Sequence, residues 1–120
     1  LLMLIISRHV RSYSVISEDQ QILNLLGLAM RAGKIVLGSE PTLTAIRGNK
    51  VQLAFFPSDG GPSQAKKFMD KSNFYHITLI QDYTKQQLIN AIGVNRSIFA
   101  IADRGFSRKI KQLISEKERN

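Results

Sequence analysis

Ile22, Leu25, Leu26 and Ala29 recur at the spacing that places side chains on one face of a helix. Ser17-Glu18-Asp19-Gln20 opens that helix as an S-x-x-Q capping box with acids in its first turn, and Gly33 stops it. Ile35-Val36-Leu37 is short, β-branched and bounded by glycine, which predicts a strand. A second helix follows, with Ser39 as its cap and Pro41 in a first turn that needs no N–H donor. Leu43 and Ile46 face inward along it, and Gly48-Asn49 ends it. Val51 to Phe56 is a mostly apolar run, as a central strand covered on both faces requires. Pro57 to Pro62 is turn chemistry. Ala65, Phe68 and Met69 make the inner face of a third helix, with Lys66, Lys67 and Lys71 outside. His76 to Ile80 reads as a strand, and Thr84-Lys85-Gln86-Gln87 as a second capping box, T-x-x-Q, ahead of Leu88, Ile89 and Ile92. Ser97 to Ala102 is the last strand. A final helix aligns Phe106, Ile110, Leu113 and Ile114, with Arg108, Lys109 and Lys111 elsewhere on its surface.

Helices and strands thus alternate from end to end, which predicts an α/β fold with a central sheet between helix layers. Helical crossovers favour parallel neighbours, but antiparallel pairs also fit. No repeat and no linker interrupts residues 17–118, so one domain is expected over residues 17–120. The opening LLMLII, Leu1 to Ile6, is far too short to span a bilayer and lacks a basic region before it. Arg8, His9 and Arg11 break it, so residues 1–16 read as an upstream extension and no membrane partner is expected.

Composition removes several chemistries. The 120 residues include no cysteine, which excludes disulfides, thiolate zinc sites and cysteine catalysis and fits a reducing cytoplasm. His9 and His76 are the two histidines and offer no metal-ligand spacing. Asp59, Asp82 and Asp103 stand near strand ends but suit turns and helix caps, and no triad can be built around them. Ser58 to Lys67 has glycines before a helix but neither phosphate-loop motif, so it reads as a surface turn and no cofactor is expected. A nucleotide-dependent enzyme using the Ser58 to Ser63 turn is the third-ranked alternative. The 17 lysines and arginines against 9 acids give a net charge of +8, a balance that favours a polyanionic partner through counterion release.

Two loop clusters carry the remaining polar chemistry. Arg31, Lys34, Gly38, Ser39, Glu40 and Thr42 surround the first strand and the start of the second helix. Gly93, Val94, Asn95 and Arg96 precede the last strand. If the first and last strands share one end of the sheet, these clusters form one surface. Gly38 would allow close backbone approach, Ser39 and Thr42 would offer hydroxyls, and Lys34 and Arg96 would meet phosphate.

Met30-Arg31-Ala32-Gly33-Lys34-Ile35, then Gly38-Ser39 opening a helix, then Ala91-Ile92-Gly93-Val94-Asn95-Arg96, resemble the kink-turn RNA-binding ribosomal protein family, L-seven-Ae/L-thirty-e. The chain looks most like its small bacterial YlxQ-type members, over about residues 18–115. The resemblance implies a three-layer α/β/α sandwich with a central mixed four-stranded sheet. It implies RNA binding rather than catalysis, with ribosomal or another structured RNA as partner and an association with the translation machinery. In that family the loop after the first strand reads sheared G·A pairs, and the loop before the last strand packs apolar residues on an extruded nucleotide. Val94 would then touch a splayed base and Arg96 a nearby phosphate. Glu40 and Pro41 stand where the family usually has Asn-Glu, Thr44 replaces a lysine and Leu37 a basic residue, so the base-reading half is altered. The alternative is a protein-interaction module that docks an acidic, ribosome-associated partner on the same basic face. Oligomeric state is not legible in the sequence.

Overall fold

A computed structural model describes residues 16–119; LLMLII and His9 lie outside the described residues. The elements run α1 (Glu18–Arg31), β1 (Ile35–Leu37), α2 (Ser39–Arg47), β2 (Leu53–Phe55), α3 (Pro62–Phe74), β3 (Thr78–Ile80), α4 (Lys85–Ile92), β4 (Phe99–Ile101) and α5 (Arg104–Arg119). The strands form one mixed sheet in the order β1-β4-β2-β3. β4 is antiparallel to both β1 and β2, while β2 and β3 are parallel.

The two-residue period of the strands sorts the core into two layers. Leu53, Phe55, Phe99 and Ile101 point to one face, where Ile22, Leu26 and Ala29 of α1, Leu88 and Ile92 of α4 and Ile110 and Leu113 of α5 cover them. Ala54 and Ala100 point to the other, under Leu43 and Ile46 of α2 and Phe68 of α3. The small side chains on that second face let α2 and α3 approach the sheet, and the Phe55–Phe99 ring stack, at 5.2 Å between centroids, fills the first.

Both capping boxes start helices, but only one closes fully. The Thr84 hydroxyl accepts from the Gln87 amide at 3.2 Å while Gln87 Oε1 accepts from the Thr84 amide at 2.9 Å. Ser17 accepts from the Gln20 amide at 3.1 Å, but the Gln20 side chain turns to Asn24 instead. The three aspartates act as turn, cap and ion-pair residues. Asp103 Oδ2 accepts from the Phe106 amide and Asp59 Oδ1 from the Lys85 amide, each at 2.8 Å, and Asp82 pairs with Lys117.

Several local expectations are corrected. Ser39 is the first residue of α2 rather than its cap; Gly38 holds the cap position at φ +98° and has no side chain to cap with. His76 does not begin a strand: it sits at φ +57° in the turn that closes α3, with the Ile77 amide on the Ser72 carbonyl. Val51, Phe56 and Ile98 are apolar because they fill the core beyond the strand ends, so the ladders are shorter than the apolar runs. Met69 is exposed, because Phe68 and Ser72 one turn apart define the buried face of α3.

Candidate nucleic-acid interface

The sheet topology brings four connections to one end. β4 runs against β1 and β2, so the C-terminal ends of β1, β2 and β3 lie beside the N-terminal end of β4, with Leu37 opposite Phe99 and Phe55 opposite Phe99. One backbone bond extends the ladder into the loops: the Gly38 amide donates to the Ile98 carbonyl at 2.9 Å. The loop after β1 and the loop before β4 are therefore joined. Val94 is four residues from Ile98, so it lies within about 14 Å of that junction.

Around Gly38 the backbone is committed. The Gly38 carbonyl accepts from the Thr42 amide at 3.1 Å, and Pro41 has no amide, so the start of α2 offers the amides of Ser39 and Glu40. Ser39 is half-buried, and its hydroxyl accepts from Gln64 Nε2 at 2.7 Å, which ties α2 to α3. Glu40 and Pro41 are exposed. Thr42 corrects an expectation: it is fully buried, and its hydroxyl turns to the Val36 carbonyl at 3.5 Å. It shares the inward face with Ala45 and Ile46, three and four residues on, so it cannot offer its hydroxyl to solvent.

The second loop starts from a left-handed turn. Gly93, at φ +78°, caps α4, and its amide donates to the Ile89 carbonyl at 2.8 Å. Val94 packs partly on the core layer formed by α1, α4 and α5, so only part of its side chain is open to solvent. Asn95 and Arg96 are exposed. The chain tightens between them, with the Arg96 amide on the Val94 carbonyl at 2.8 Å, and Arg96 Nη1 donates to the Asn95 carbonyl. Among the described residues no carboxylate pairs with Arg96.

The two remaining cationic candidates divide. Arg31 lies with its guanidinium along Gly27, in a groove of about 600 Å³ between α1 and α4 whose far wall includes Asn90 and Ala91, next to the second loop. A Cβ at Gly27 would sit 3.0 Å from the Ala91 carbonyl oxygen, so glycine there sets how closely the two helices approach. Lys34 lies at the opposite end of β1, where its carbonyl accepts from the Ala102 amide at 2.8 Å. Four residues of extended chain, about 13 Å, separate it from Gly38.

The charge at the loop end is nearly balanced, with Lys85, Arg96 and Lys117 against Asp19, Glu40, Asp59 and Asp82. A polar clasp anchors this end. Lys117 Nζ bridges Asp19 and Asp82 at 2.8 and 2.6 Å, and the Tyr83 hydroxyl donates to Asp19 at 2.8 Å. The Lys117 hydrogen bond holds the Asp19 carboxyl below its ordinary range against the opposing pull of burial, and the Tyr83 bond adds to it. Burial, then the Asp19 carboxylate, pushes the Tyr83 phenol far up. The Ser58 to Ser63 turn is explained by packing. A Cβ on Gly60 would meet the Phe56 ring at 2.5 Å, so this glycine makes room for a core aromatic.

Sequence reasoning missed Gln64, which positions Ser39 from 25 residues away and leaves no local signal. Among the described residues no group of histidines and carboxylates is arranged to hold a metal, and no helix is long and apolar enough to cross a membrane.

The chain matches no protein-family model. It is 39% identical over 95 residues to the RNA-binding protein YlxQ of Enterococcus faecium, spanning 79% of this chain and 92% of that protein. It is 34% identical over 91 residues to the RNA-binding protein YlxQ of Bacillus subtilis (strain 168), spanning 75% and 91%. A solved structure of a protein with unknown function from Bacillus halodurans C superposes with a TM-score of 0.74 at 38% identity, covering 78% of this chain and 96% of that one. The Giardia lamblia 15.5kD RNA binding protein superposes with a TM-score of 0.72, covering 84% and 88%; at 15% identity that likeness concerns the fold.

Proposed function

The chain belongs to the YlxQ family of RNA-binding proteins, and we propose on that premise that it is a non-enzymatic RNA-binding protein whose RNA face is the loop end of the sheet. The observation that carries this reading is the bond from the Gly38 amide to the Ile98 carbonyl, which ties the loop after β1 to the loop before β4, four residues from Val94. Ser39 and Glu40 present backbone amides and a carboxylate at the start of α2. Gly93, Val94 and Asn95 present a held, partly apolar edge beside them, with Arg96 free to meet phosphate. An apolar edge fixed against the core suits an unstacked base better than a mobile loop, because little ordering entropy remains to be lost on contact.

The RNA this surface fits is sharply bent and structured, of the kink-turn type, and the setting is the translation machinery. A near-neutral loop end supports recognition by shape and base contact in preference to bulk charge. Glu40 accepts hydrogen bonds from guanine imino or amino groups, and Pro41 adds no polar contact of its own.

The test is binding of the full chain to a kink-turn RNA and to the same RNA with its G·A pairs replaced, across a salt series. A preference for the kink-turn that survives higher salt is the expected result. Equal and strongly salt-dependent binding to both would remove the bent-RNA assignment and leave a general phosphate binder.

A further inference from the structure

Among the described residues, Lys34, Lys50, Arg104 and Arg108 gather toward the end of the sheet opposite the loop end. At the opposite end of the sheet β1 begins after Lys34, β2 after Lys50 and Gln52, and β4 runs out through Ala102 and Asp103 into α5. The Ala102 amide on the Lys34 carbonyl, at 2.8 Å, holds these ends together. A cleft of about 390 Å³ there is lined by Gln52, Arg104, Arg108 and Lys111 alone. It adjoins a second, of about 250 Å³, which shares Gln52 and Arg104 and adds Lys50.

Three features mark this cluster as more than a solvated helix face. Arg104, Arg108 and Lys111 are spaced by four and three residues, so they form one stripe over two turns of α5, about 10 Å long. The acid nearest to them, Asp103, is engaged in capping, with its carboxylate on the Phe106 amide. The ion pairs of the described residues lie elsewhere, and the two that involve α5 both use Lys117 near the helix's other end. Arg104 stands in the first turn of α5, directly after the Asp103 carboxylate that caps it. Like charges along one stripe repel one another, and an anion seated against them would relieve that repulsion.

We infer that this stripe is a second RNA contact, which grips the phosphate backbone of a helix flanking the RNA element bound at the loop end. The inference rests on the RNA-binding reading above. The two surfaces are separated by the length of the sheet, more than the roughly 8 Å screening length at physiological salt, so their phosphate contacts add independently. Two guanidinium forks and an amide side chain match phosphate oxygens, and the lining side chains include no exposed apolar group that a membrane surface would require. Lys34 belongs with this end.

The test uses the full chain and two kink-turn RNAs, one with short arms and one with a helical arm extended, each titrated across a salt series. The proteins are the wild type, Arg104→Gln/Arg108→Gln/Lys111→Gln, and Arg108→Gln/Lys111→Gln in case the triple variant fails to fold by circular dichroism. The wild type is expected to bind the extended RNA more tightly, with a log–log salt slope steeper by about two to three units. The triple variant loses that gain, the double variant loses about two units of it, and both retain the short-arm affinity. Folded variants that keep the full gain would overturn the inference, as would a wild type that binds the short-arm RNA but gains nothing from the extension. A wild type that binds neither RNA would overturn the RNA-binding reading, and the inference with it.

Discussion

Val94 and Arg96 are two residues apart and answer to different constraints. Arg96 is exposed and bonded only to its own loop backbone. Arg96→Ala is therefore expected to leave stability within about 0.5 kcal/mol and to flatten the salt slope of RNA binding by about one unit. An unchanged slope would remove Arg96 from the phosphate contacts. Val94 is half-buried against the layer of α1, α4 and α5. Val94→Asp is expected to cost about 1–3 kcal/mol, because a carboxylate there loses water without gaining a partner, so loss of RNA binding must be read against the urea midpoint of the variant. Thr42 gives the opposite control. Its hydroxyl is inside, with a long contact to Val36, so Thr42→Val is expected to keep RNA affinity unchanged. A drop in affinity without a drop in stability would return Thr42 to the RNA face. The inward place of Thr42 was legible from Ala45 and Ile46, three and four residues on. Nearness to Gly38 in sequence points outward, and the helical period decides.

The elements that frame the loop end are held by backbone geometry at one side and by charge at the other. Gly38 sits at φ +98°, and a Cβ there would find ordinary contact, 3.6 Å from Pro41 Cδ, so strain rather than crowding excludes other residues. Gly38→Ala is expected to cost at least about 1 kcal/mol through that backbone strain. The clasp of Asp19, Asp82 and Lys117 joins α1, the loop after β3 and α5. The folded-state pKa of Asp19 is depressed, so its contribution is present above the unfolded value near pH 4 and is lost as pH falls through the folded value. The stability difference between wild type and Asp19→Asn is therefore expected to shrink below about pH 4 in urea titrations. A difference constant down to pH 2 would mean that the Lys117 bond does not favour the charged carboxylate. Helix order and the starts at Ser17 and Thr84 were legible because caps and apolar periods are local signals. Strand ends were not, because Val51, Phe56 and Ile98 are apolar for the core and not for the ladder.

Over the whole molecule, what the sequence leaves open is which ends of which elements meet. Loop clusters 50 residues apart were expected to form one surface only if β1 and β4 shared an end, and the antiparallel β1–β4 pairing supplies that condition. Lys34 lies at the far end because the three residues of β1 separate it from Gly38. Net charge predicted a polyanionic partner but not where the charge gathers. Arg104, Arg108 and Lys111 line one cleft through the helical register of α5 and the neighbouring start of β2, and the second of these is not local. The most direct test of the central claim is the change in backbone amide resonances of the full chain on titration with a kink-turn RNA. The account predicts the largest changes at Gly38, Ser39, Glu40, Gly93, Val94, Asn95 and Arg96 together, in a single saturable step. Changes confined to α3, or to the exposed face of α2 away from Gly38, would contradict it.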